Sequence, residues 1–273
     1  LHILEASGTG PMPINDYAHG QLATKLDMPK KFYDRLREKH PDMLAYNINE
    51  LFRREPDARM IRTMRGNVRA FLSDKYRRID NYEVLGAVLP IINSRAEAAG
   101  LEVVSSQVTE TRMYLKVSAT QVKAEVSVGD VVHAGFVLTN SEVGAGSVSV
   151  APFITRLVCM NGAVVQKEGM RKYHIGKQIA QESTELFKGD TLAADDRAFV
   201  LKLRDMMDAC INESGFNEIV SRMRAATENM LTGDPEKTVE LFAKRGDLVN
   251  GEVDLVRQVL LMNAHRDGLT QYG

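Results

Sequence analysis

The chain has 273 residues, 44% of them hydrophobic and 26% charged, with a formal net charge of -1. That length can bury one large core or two small ones, and the near-neutral charge excludes a protein that coats duplex DNA by charge alone. The two cysteines, Cys159 and Cys210, make neither a disulfide framework nor a zinc site by themselves, and they suit a reducing compartment.

No apolar run is long enough to span a bilayer. The opening LHILEASGTG has no basic region followed by an apolar one, so no signal peptide is expected and a cytoplasmic location is. The chain starts on Leu1 rather than Met and reads as a trimmed sequence.

Residues 1–17 carry Gly and Pro without a period and read as a loose arm. From His19 to Arg54 the apolar spacing is helical, with Leu22, Leu26, Phe32 and Leu36 as core candidates and a break at Met28-Pro29, where Pro is tolerated at a helix start. The helix–turn–helix outline occurs in DNA-binding modules, but helix pairs are common packing units. The mixed charges of the second helix read as a solvated face. A third helix follows Pro41. Farther on, NYEVLGAVLPIINSRAEAAG reads as a helix that buries Val84, Leu85, Val88, Ile91 and Ile92. Pro90 kinks it, and Gly100 supplies the left-handed terminus.

The period then changes from 3.6 to 2. In LEVVSSQVTETRMYLKV, residues Met113, Leu115 and Val117 point one way and Arg112, Tyr114 and Lys116 the other. VVHAGFVLTNS places Val132, Ala134, Phe136 and Leu138 on one face. A third strand, SVSVAPFITRLVC, carries Pro152 as an edge or bulge marker, and Asn161-Gly162 predicts a tight turn before AVVQ. From Ile175 onward the pattern is helical again.

The expected fold class is α+β: a three- to four-stranded antiparallel meander packed with helices, between helical N- and C-terminal parts. The expected divisions are an arm and helical segment over 1–55, an α+β core over 56–190 and a helical segment over 191–273.

Catalytic signatures are sparse. The six histidines are scattered, none at i, i+4 spacing or close to a cysteine, so no metal site is expected. GMRKYHIGKQ has six residues between Gly169 and Gly176 and Gln178 where a phosphate loop needs Ser or Thr. Gly144-Ala145-Gly146 lacks the third glycine of a dinucleotide turn and lies between strands. No G-x-S-x-G elbow is present, and Asp195-Asp196 reads as the capped start of a helix. The expectation is a non-enzyme with no cofactor.

What stands out is residues 59–83, RMIRTMRGNVRAFLSDKYRRIDNYE. Arg59, Arg62, Arg65 and Arg69 at spacings of 3, 3 and 4 would line one helical face, but Gly66-Asn67 interrupts a helix, so an extended run is equally open. Lys75-Tyr76-Arg77-Arg78 follows. Cations that track phosphates beside aromatic rings that stack on bases are the chemistry of single-strand binders. Arg156 on the third strand, and Arg171 and Lys172 beyond it, would extend the path. The competing reading is a solvated face paired with Glu55, Asp57 and Asp74.

VRAFLSDKYRRIDNYEVLGAVLP (68–90) and VVHAGFVLTNSEVGAGSVSVAPFITRLVCMNGAVV (131–165) resemble two signature blocks of the phage/plasmid-like protein family, a domain of unknown function found on prophages, phages and plasmids. Residues 20–52 resemble its N-terminal part, and family members continue past the position of Gly273. The order helix, antiparallel meander, helix is also similar to the core of Rad52-type single-strand annealing proteins, which assemble as rings or filaments.

These resemblances imply a single-stranded DNA-binding and annealing protein of a mobile element, acting in recombination, as a homo-oligomer and away from membranes. Arg62, Arg65, Arg69, Lys75, Arg77 and Arg78 would meet phosphates and Tyr76 would stack, with Arg156, Arg171 and Lys172 continuing the track. The alternative is a mobile-element adaptor or inhibitor that binds a host protein through the same basic stretch.

Overall fold

The computed structural model describes residues 2–4, 11–74, 76, 78–156, 159–164 and 189–229, with a few isolated positions between 237 and 258. The arm is not loose throughout: β1 (His2–Leu4) pairs antiparallel with β2 (Pro11–Pro13). Asn15 then caps α1 (Asp16–Lys25), its side-chain oxygen accepting from the Ala18 amide at 2.9 Å. Helices α2 (Lys30–Lys39) and α3 (Pro41–Arg54) follow as their spacing predicts, with Pro41 in the first turn of α3. Leu22, Tyr33, Leu36, Leu44 and Ile48 form a small core of their own under these helices. Phe32 is turned outward beneath the Arg35 guanidinium, and its neighbour Tyr33 takes the buried position.

The arginine-rich stretch is a β-hairpin. Strands β3 (Arg59–Met64) and β4 (Asn67–Ser73) pair antiparallel across a two-residue turn in which Arg65 and Gly66 both have positive φ, at 51° and 76°. This is the type I′ pattern, whose twist matches that of the strands.

Next comes α4 (Asn81–Ser94), opened by a capping interaction in which the Asp80 amide donates to the Glu83 carboxylate at 2.7 Å. The predicted helix runs on only as the single turn α5 (Ala96–Ala99), which stops at Gly100 in the left-handed region.

The sheet has five strands in simple meander order: β5 (Leu101–Val108), β6 (Met113–Glu125), β7 (Val131–Asn140), β8 (Ser149–Arg156) and β9 (Cys159–Val164). The antiparallel α+β arrangement expected from the sequence is therefore present. The extra strand arises because LEVVSSQVTETRMYLKV is a hairpin rather than one strand. Its turn has no Gly or Pro. It is fastened instead by Thr109, whose hydroxyl accepts from the Arg112 amide at 3.0 Å and whose amide donates to the Arg112 carbonyl at 2.8 Å. Asn161-Gly162 lies inside β9, not in a turn. Pro152 sits on β8 opposite Phe136 of β7, one residue before the described pairing with β9, which starts at Phe153.

Alternation divides the sheet into two faces. Met113, Leu115, Val117, Val132, Ala134, Phe136, Leu138, Val150 and Ile154 meet Val84, Val88 and Ile92 of α4, with α6 (Gly189–Cys210) and α7 (Glu213–Glu228) completing the cover through Leu203, Met207, Phe216 and Val220. Each Val, Leu, Ile, Phe or Met among them contributes about 1.5–3 kcal/mol on burial, so this face holds the larger of the described cores. Asp195-Asp196 lies in the second turn of α6, because that helix starts earlier, at Gly189, than the acidic pair suggests.

Strands β6 and β7 approach closely at Gly135, where a Cβ would stand 2.2 Å from the Val117 carbonyl oxygen. No helix among the described residues is long and apolar enough to cross a membrane. The predicted helices over 177–188 and most of those after 230 lie outside the described residues.

Candidate nucleic-acid interface

The arginines of the hairpin are placed mainly by carboxylates of this chain. Arg69 on β4 is buried and donates to Glu142 at 3.0 Å, and a second oxygen of Glu142 accepts from the Asn81 amide at 2.8 Å, at the start of α4. Arg62 on β3 pairs with Asp80, the residue that precedes α4, and Arg78 approaches the same carboxylate at 3.5 Å. Arg59 pairs with Asp57, which also takes Lys25 at 2.6 Å. Together Lys25 and Arg59 hold the Asp57 carboxyl below its ordinary range.

Arg156 binds Asp130 at 2.7 Å. Tyr76 is half-buried and donates its hydroxyl to the Ser141 carbonyl at 3.1 Å, and burial raises its phenol above the usual value. Arg65, at the apex of the turn, is exposed, as is Arg78. Lys75, Arg77, Arg171 and Lys172 lie outside the described residues. The structure thus brings Arg62, Arg69, Tyr76 and Arg78 together around one loop and helix start, and leaves Arg65 and Arg156 at other places.

That loop, residues 141–147, is the wall of a groove. Val143 is fully buried with Ala70 and Leu72 of β4, beside Tyr17 and Tyr76. The Gln21 side chain donates to the Val143 carbonyl at 2.8 Å. Ser141 donates its hydroxyl to the Thr111 carbonyl at 2.8 Å and accepts from the Ala145 amide at 2.9 Å. From the other side the Arg112 guanidinium donates to the Ala145 carbonyl. Gly144 is needed at its position, with φ of 81° and a Cβ that would stand 2.8 Å from Leu72.

The floor of the groove is the sheet face opposite the helices. Strand register sets two rows across it: Ser105, Lys116, Val137 and Ala151 in one, Gln107, Tyr114, Thr139 and Ser149 in the other. These residues, with Arg112 and Ser147, line a cavity of about 690 Å³. Among the described lining residues there are two cations, Arg112 and Lys116, and no carboxylate. The Lys116 ammonium stands 5.4 Å from the centroid of the Phe153 ring, a cation–π placement that holds the side chain across the floor. Thr139 and Ser149 share a hydrogen bond of 2.6 Å between their hydroxyls.

Residues 69–183 match the model of a family described as a domain of unknown function, DUF932. The match begins in β4 and spans α4, the groove and its wall. No curated protein and no solved structure matches the chain.

Sequence reasoning placed Arg112, Tyr114 and Lys116 on one face of a strand and did not select them. The signal was present in that alternation, because polar and charged side chains that share one face of a strand, opposite apolar ones, mark a face on which a polar groove can form. Chemically the groove offers two cations, a ring and a fringe of hydroxyl donors and acceptors. That set suits an anionic, hydrogen-bonding ligand. Among the described residues no three His, Cys, Asp or Glu side chains converge to hold a metal ion. Cys210 is largely enclosed, and burial pushes its thiol up to about 12, a poor state for a nucleophile.

Proposed function

We propose that this chain binds single-stranded DNA in the groove on the sheet face opposite the helices and promotes strand annealing or recombination for a mobile element in the cytoplasm of its host. The observation that carries the reading is a groove lined by Arg112 and Lys116 with no carboxylate among its described lining residues, in a chain whose net charge is -1. A local excess of positive charge in a near-neutral protein attracts a polyanion to that place.

Tyr114 offers a ring to a base, and the row of Gln107, Thr139 and Ser149 offers hydrogen bonds to phosphates and sugars. The exposed Arg65 and Arg78 are available to a strand that continues beyond the groove. The mobile-element context rests on the resemblance of residues 68–90 and 131–165 to the phage/plasmid-like family.

Fluorescence anisotropy with labelled single-stranded oligonucleotides at two salt concentrations tests the proposal. Binding that weakens with salt and with Lys116→Gln supports it. Absence of binding at low salt removes it, and the adaptor reading then takes its place, with the exposed Arg65 and Arg78 of the basic stretch as the available surface.

A further inference from the structure

The outer edge of β5 has no strand beside it among the described residues, since the sheet order begins there. Every residue from 102 to 110 is exposed. Three of them are β-branched and apolar: Val103, Val104 and Val108 are 45%, 39% and 64% exposed. Edges of this kind are normally blunted by Lys, Pro, a bulge or inward-pointing charge, because their free N–H and C=O groups pair with any extended chain. Here residues 103–109, VVSSQVT, contain no charge and no Pro. The one device present is a bulge against β6 between Val103 and Ser105, after which Ser105–Val108 pairs regularly with Lys116, Leu115, Tyr114 and Met113.

We propose that Ser106–Val108 on β5 pairs antiparallel with the same segment of a second copy of this chain, which makes one continuous ten-stranded sheet from two five-stranded ones. The segment is self-complementary in charge. An antiparallel register centred on Gln107, in which Gln107 faces the copy's Gln107 and Ser106 faces the copy's Val108, keeps every side chain on its own face of the sheet and brings no two like charges opposite each other. Such a contact is isologous and closes after two copies.

Its twofold axis stands perpendicular to the sheet, so both helix-covered faces lie on one side and both grooves on the other. Ser105, Ser106 and Gln107 already line the groove at its β5 end. Pairing therefore sets two grooves side by side, and a strand leaving one enters the other. This last step rests on the groove being the nucleic-acid site. The pairing does not.

The experiment is the mass of the full chain by sedimentation or light scattering, for the parent, for Val104→Lys/Val108→Lys and for Val108→Lys alone. Circular dichroism confirms that each variant folds, and the single substitution serves if the double one does not. The expected result is a parent of about twice 30.4 kDa and variants that fall to half that mass. A parent that stays at the single-chain mass at every concentration overturns the proposal, and so does a doubled mass that persists in a folded Val108→Lys variant.

Oligonucleotide binding separates this from the functional reading. A single-chain parent that still loses binding on Lys116→Gln leaves the groove in place and removes the edge. A doubled mass that depends on Val108, without oligonucleotide binding, supports the edge and removes the groove.

Discussion

Replacing Lys116 and Arg112 together by Gln removes both cations among the groove's described lining residues while keeping polar side chains there. For single strands each phosphate contact contributes about 0.7 to the slope of log affinity against log salt. Losing two contacts should flatten the slope by about 1.4 and weaken binding about 25-fold at 0.1 M salt, or about 2 kcal/mol. Each single variant should account for about half of this in logarithm. Lys31→Gln removes an exposed cation from α2, away from the lining, and should leave the slope unchanged. The assay is anisotropy over a salt series, with thermal melts to show that the Arg112 contact to Ala145 is not needed for folding. If the double variant keeps the parental slope, or if Lys31→Gln lowers it equally, binding is diffuse and the groove assignment is wrong.

Arg69→Met leaves Glu142 without its guanidinium, at side-chain exposures of 9% and 11% for the pair, and should cost about 3 kcal/mol in urea denaturation. Arg78→Ala, with a side chain 57% exposed, should cost under about 1 kcal/mol, and equal losses would show that burial does not separate the two roles. Gly135→Ala drives a methyl into the Val117 carbonyl at 2.2 Å, so a loss of at least about 2 kcal/mol or failure to fold is expected, and a parental melting temperature would mean that the close approach of β6 and β7 is absent.

His19 is enclosed and shares a 2.7 Å hydrogen bond with the Tyr33 hydroxyl. Burial first, then the Arg37 charge, lowers its pKa to about 4. The unfolded chain, at about 6.5, binds the proton more readily, so the stability linked to His19 is complete above that value and is lost as pH falls toward 4. Between pH 7 and 5 the loss should be about 2 kcal/mol. Urea midpoints at both pH values should differ by that much more in the parent than in His19→Gln, and identical differences would remove His19 as the cause.

The core was legible because period 2 and period 3.6 are local signals. Val132, Ala134, Phe136 and Leu138 of β7, and Val84, Val88 and Ile92 of α4, lie buried where alternation and helical spacing put them. The hairpin at 59–73 was less legible. Spacings of 3, 3 and 4 mimic a helical face, and its turn puts an arginine rather than Asn or Gly at a positive φ of 51°. The β5–β6 turn escaped because a threonine side chain closes it. Least legible were the partners of the arginines. Arg69 and Glu142 are 73 residues apart, and Arg62 and Asp80 are 18, so no local pattern marks either pair.

Those pairs change what the basic stretch does in the molecule. Arg69 holds Glu142, Glu142 holds the first amide of α4, and Arg62 holds Asp80 just before it. The same hairpin buries Leu72 against Val143, so β4, the wall loop and the start of α4 form one unit. Buried, paired guanidinia cannot release their carboxylates to meet a phosphate without leaving Glu142 or Asp80 uncompensated, at several kcal/mol. Arg62 and Arg69 therefore act on a ligand only through the wall that they fix in place. Arg112 is anchored to that wall from the groove side, and Lys116 lies on the floor, so these two are the cations that a strand in the groove would meet first. Of the described cations in the basic stretch, Arg59, Arg62 and Arg69 are thus spent on pairing with carboxylates, and the groove's two described cations are those that strand alternation sets on the face opposite the helices.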